Sequence, residues 1–148
     1  MIQDAKSLLH MSQQELDDLY RASQPGPVPA GKAEGTAIVV PRTMFGALAT
    51  QLIRWFVWRG KVFNPAGGDL KNRMTPFEFK AIRAKVYVGD SWLADGSAIV
   101  IDYSKTSLVA RMVRDEIRQV GPDVYLGKVF LGRKHVIDFS LAFQPQNV

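Results

Sequence analysis

Asp102, Arg111 and Asp115 are the residues of this chain whose types and spacing could do chemistry. Over residues 98–104 strand alternation puts Val100 on the face of Asp102. In the next run Arg111, Val113, Asp115 and Ile117 share one face. Charges interleaved with aliphatics on one strand face are what a small barrel shows when its interior holds a polar anchor for a ligand. A carboxylate inside a barrel costs on the order of several kcal/mol unless it is ion-paired or hydrogen-bonded. Paired with Arg111, it stays ionised and leaves guanidinium donors for a ligand carboxylate or carbonyl. Tyr103 adjoins Asp102 and points to the opposite face. The competing reading is a salt bridge that only fixes strand register. A one-residue shift would replace this set with Arg114, Glu116 and Arg118, which interleave with Met112 and Val120 and read as a solvated outer face.

The same residues also fit an enzyme. Asp102 or Asp115 would act as general acid or base, and Arg111 would stabilise an enolate or carboxylate, as in an isomerase, cyclase or lactone hydrolase. Other chemistries are excluded more easily. The chain has no cysteine, which removes thiolate catalysis and cysteine-ligated metals. There is no G-x-S-x-G elbow, and Gly67-Gly68 lacks the lysine and hydroxyl of a phosphate loop. His10 and His135 are the only histidines. His135 alternates with Ile137, Phe139, Leu141 and Phe143 but follows the turn residues Gly132-Arg133-Lys134. With no second ligand in view it reads as an exposed or hydrogen-bonded residue rather than a haem ligand. No metal or cofactor is expected.

The elements that must position these groups follow from local pattern. Ser12-Gln13-Gln14-Glu15 is a capping box, and Leu16, Leu19 and Tyr20 form a narrow apolar stripe behind it. The helix should end near Ser23, because Pro25-Gly26-Pro27-Val28-Pro29 reads as a stiff linker. Residues 1–30 therefore form an N-terminal helix and proline-rich linker, and residues 31–148 the main domain. Strands are expected over residues 36–40, 58–63, 70–74, 81–88 and 98–104, then three more to Phe143. Asp95-Gly96, Gly121-Pro122-Asp123 and Gly132-Arg133-Lys134 supply the turns. A helix is expected over residues 44–57. About eight short strands with short connections argue for an antiparallel sandwich or barrel.

Trp58-Arg59-Gly60-Lys61-Val62-Phe63 resembles the W-x-G-K-x-F core of the GxWxG family, small bacterial proteins of unassigned function; Phe56 stands where the first glycine is expected. Asp102-Tyr103, Asp115-Glu116-Ile117-Arg118-Gln119-Val120 and Leu126-Gly127-Lys128-Val129 are similar to that family's C-terminal pattern, with Ile117 in place of an aromatic. The resemblance spans roughly residues 36–143. It implies a calycin-like barrel, of the lipocalin and fatty-acid-binding architecture, and carries over no catalytic residue.

Together these readings give a mainly β chain. Its core is a small antiparallel calycin-like barrel of about eight strands, with an N-terminal helical extension and one helix near the mouth. The expected partner is a small hydrophobic or amphipathic molecule with a polar or acidic head. Asp102, Arg111, Asp115, Trp58 and Tyr103 are the candidate ligand contacts. The net charge is +5, but residues 1–30 hold two cations and four anions, whereas the stretch 54–85 holds eight cations against Asp69 and Glu78. That stretch, with Trp55, Phe56 and Trp58, offers a peripheral membrane contact as an alternative use. No nucleic-acid motif accompanies it, so nucleic acid is not an expected partner. Residues 1–9 are too short and polar for a signal peptide, and Gln51 and Arg54 interrupt the longest apolar-leaning window, so the expected location is cytoplasmic. The linker suits a monomer or a homodimer, with the helix on its own barrel or on a neighbour's.

Overall fold

Ser12 starts the helix α1 (Gln13–Ala22) with a complete capping box. Its side chain accepts from the Glu15 amide at 3.1 Å, and the Glu15 carboxylate accepts from the Ser12 amide at 3.1 Å. A short 3-10 turn, Ala5–His10, precedes it. The computed structural model describes residues 4–29, 31–38, 58–64, 69–74, 82–102 and 113–143. The expected helix at 44–57, Arg111, Tyr103 and the chain after Phe143 lie outside them.

The rest is mainly β and antiparallel: β1 (Gly31–Ile38), β2 (Trp58–Asn64), β3 (Asp69–Met74), β4 (Ile82–Asp90), β5 (Ser97–Asp102), β6 (Val113–Gly121), β7 (Val124–Leu131) and β8 (Lys134–Phe143). Each strand pairs with the next. β1 also pairs with β8 over Ala33–Phe143 to Ile38–Asp138, so the order closes on itself as a barrel. The β6–β7 turn carries Asp123 in the left-handed region (φ 58°), a conformation aspartate tolerates better than most side chains. We call the end of the barrel at this turn its lower end.

Alternation sorts the described strands into two faces. Inward lie Ile99, Ile101, Val113, Ile117, Tyr125, Val129, Ile137, Phe139, Leu141 and Phe143, one continuous apolar core. Outward, most even-numbered positions of β6 to β8 are also buried, among them Glu116, Arg118, Leu126, Lys128 and Asp138, and the N-terminal segment lies over them. Leu8, Leu16 and Tyr20 pack there against Ile38, Val120, Val124 and Leu126. At roughly 1.5–3 kcal/mol per buried large apolar side chain, this second layer is a substantial part of the stability. The apolar stripe of α1 thus has its partner on the barrel wall.

The N-terminal segment then crosses the lower end. Gln24 bridges Gln119, the Tyr125 hydroxyl donates to the Pro27 carbonyl at 2.8 Å, and half-buried Val28 packs against the inner core. Among the described residues, no helix is long and apolar enough to cross a membrane.

Candidate functional site

The β5–β6 register decides which charged residues meet. Ile101 stands opposite Asp115, and Asp102 opposite Arg114. Directly opposed residues share a face, so Asp102 and Asp115 point to opposite sides of the barrel wall. This corrects the expectation that they form one constellation. Alternation within each strand was sound, but the pairing between strands is offset by one residue from the one that would join the two. Asp102 lies outward, opposite Lys85 of β4, and accepts a hydrogen bond from the exposed Tyr87 hydroxyl at 3.1 Å.

Asp115 is fully buried on the inner face, between Val113 and Ile117 along β6 and between Ile101 and Val129 across it. Among the described residues it is the one charged side chain buried on that face. Trp58 starts β2, opposite Met74 of β3.

The outer face holds the chemistry that sequence reasoning missed. Arg114, Glu116 and Arg118 do face outward, but they are not solvated. Glu116 is fully buried and accepts four hydrogen bonds: from the Tyr20 hydroxyl (2.8 Å), the Ser91 hydroxyl (2.5 Å), the Trp92 amide (2.9 Å) and Arg114 (2.7 Å). Arg118 spends its guanidinium on the carbonyls of Tyr20, Ser23, Asp95 and Ser97. Most of these bonds tie the end of α1 or the 91–96 segment to the wall, so this cluster is a structural clamp. Burial first, and then the Glu116 charge, push the Tyr20 hydroxyl well above the usual tyrosine range, which keeps it a donor at all ordinary pH. On the same outer side, a groove of about 460 Å³ is bordered by Arg21, Ser91, Trp92 and Asp95.

A second cluster lies beside it. Lys128, fully buried, donates to Asp17 of α1 at 2.6 Å and to Asp138 of β8 at 2.7 Å, and Gln13 donates to both carboxylates. His135 pairs with Asp138 as well. A bulge between Val129 and Phe130 sets His135 opposite Phe130, so the imidazole leaves the inner-face alternation and reaches outward. The acidic side of α1 and the lone lysine of β7 were the available signal. Neither is informative until the helix is placed on the wall.

Asp138 gives this cluster a pH dependence. Burial alone would raise its carboxyl, but the His135 hydrogen bond and the Lys128 charge outweigh burial and hold it below the ordinary 3.8. A depressed carboxyl stabilises the fold above its unfolded value, and that contribution is lost as pH falls through the lower folded value. Urea unfolding should therefore show stability falling with pH below 3.8, and the acid slope should flatten in Asp138→Asn. An identical slope in the variant would take Asp138 out of the transition.

The described strands define the class as a mainly β, antiparallel protein. No family model and no curated protein matches the chain. A solved structure of a protein from Thermomonospora curvata is similar at 17% identity and a TM-score of 0.63, covering 91% of this chain and 89% of that one. The likeness concerns the fold alone.

Proposed function

We propose that this chain binds a small hydrophobic or amphipathic molecule inside a calycin-like barrel, with a polar head group held at Asp115. The observation that carries the reading is a carboxylate fully buried among the apolar inner-face residues of β5 to β8, the one charged side chain buried on that face among the described residues. A charge is retained in such a place at a cost of several kcal/mol, on the order of what a buried ion loses in solvation. A polar group of this kind, set within an apolar wall, is what orients the head of an amphipathic ligand. Arg111, four residues before Asp115 in the sequence, is at the spacing expected for one strand face and is the candidate cation for an acidic head. The apolar wall contributes affinity through buried area, at about 25 cal/mol per Å².

Titration with a fluorescent fatty acid and its alcohol analogue tests this. Arg111→Met should weaken the acid by roughly tenfold or more while leaving the alcohol little changed, the pattern of a lost charge-assisted contact. Equal loss for both, or none for either, would remove Arg111 from head-group recognition.

A further inference from the structure

The N-terminal segment is held to the barrel in an unusual way for a covering element. α1 buries Leu16 and Tyr20 fully and packs partly buried Leu19 beside them, and its other ties are polar. Tyr20 donates to Glu116, Arg118 holds the last carbonyls of the helix region, and Lys128 and Asp138 meet Asp17 and Gln13. Beyond the helix, the Gln119 amide donates to the carbonyls of Gln24 (3.1 Å) and Pro25 (3.3 Å), and Tyr125 to that of Pro27. Val28 is the apolar contact that reaches the inner core. The strands beneath are joined instead by antiparallel ladders from β5 to β8 and on to β1. α1 meets the sheet over a much smaller area than the strands meet one another, and such a segment opens at lower free energy than the sheet that carries it. Pro25, Pro27 and Pro29 restrict the free segment to extended conformations, which lowers the entropy lost when it docks again.

We propose that residues 13–29 are a releasable strap, and that its opening at the lower end is an entry to the barrel interior. The proposal deepens the ligand-binding reading and rests on it. When the strap lifts, the seat of Val28 and the inner ends of β6 and β7, at Gln119 and Tyr125, come into contact with solvent. The charged clusters on the wall stay behind as the docking surface, so closure restores the same set of hydrogen bonds.

The Gln24–Gln119 bridge provides a test. Opposed residues in an antiparallel pair lie about 4.5–5.5 Å apart at Cα, within the span of a disulfide. The chain has no cysteine of its own, so Gln24→Cys with Gln119→Cys can form only one bond. Hydrogen exchange of the unmodified full chain should show residues 13–28 opening together, with protection roughly tenfold or more below that of β7 and β8. Strap amides that exchange only with the sheet would overturn the proposal. In the oxidised double-cysteine form, uptake of a fluorescent fatty acid should slow by roughly tenfold or more, and reductant should restore it. Equal uptake rates in the oxidised and reduced forms would also overturn it. If the fatty acid binds neither form, the ligand reading fails, and the exchange result alone decides whether the strap opens.

Discussion

Lys128→Met should lower stability by about 3–5 kcal/mol, the loss expected when one partner of a buried ionic cluster is removed. The ammonium lies between Asp17 and Asp138, with no solvent reaching it, and it also sits 5.4 Å from the centre of the Tyr20 ring. Methionine fills much of the space of the lysine stem but donates nothing. Asp138 is then left buried with only Gln13 and His135, and Asp17 keeps Gln13. For a chain of this length each kcal/mol moves Tm by about 2–4 °C, so a fall of roughly 10 °C is expected. The cost comes from the stranded carboxylate, so Lys128→Met combined with Asp138→Leu should recover most of it. Thermal and urea unfolding followed by circular dichroism measure both variants. A single variant within about 1 kcal/mol of the parent would mean the cluster holds α1 only loosely.

Gly127→Ala should be nearly as damaging for an unrelated reason. Gly127 lies on the inner side of β7, opposite Phe139 of β8, and the Phe139 ring rests against it. An added methyl would run into three ring carbons. The ring is almost fully buried, so the strain must pass into the core, at about 1–3 kcal/mol and toward the upper end of that range. Phe139→Leu makes room for the methyl at the cost of packing area. The double variant should therefore lose less than the two single variants added together, with a coupling of about 1 kcal/mol or more. Additive losses would show that the ring and the glycine do not share the space.

Much of the secondary structure is written in local signals. The Ser12–Glu15 box, the proline run and the Pro122-Asp123 and Gly132 turns are each decided by a few neighbouring residues, and α1 and β6 to β8 fall where those signals put them. β1 instead begins at Gly31, five residues before the expected start at Thr36, because its length is set by pairing with β8 and β2. Strand alternation correctly set Asp115 beside Val113 and Ile117. It could not say which residue of β5 faces Asp115, because register belongs to the pairing of two strands and not to either alone. Asp102 was assigned to the wrong side for that reason. Burial of Glu116, Arg118 and Lys128 was invisible for a related one. A face of charges beside aliphatics reads as solvated until something is laid over it, and the cover here comes from a helix about a hundred residues away in sequence. His135 is the hydrogen-bonded residue expected after its turn, and the bulge that takes it off the face of Ile137 is a local irregularity that alternation has no means to register.

Native mass spectrometry of the purified full chain, followed by denaturing extraction, addresses the central claim most directly. The account predicts an adduct of one amphipathic molecule per barrel, released on unfolding and carrying one polar or acidic head. It further predicts that replacing Arg111 with methionine diminishes that adduct. A clean mass for the parent chain, unchanged after incubation with fatty acids, alcohols and isoprenoids, would contradict it. The interior would then be a filled core, with Asp115 serving only the fold.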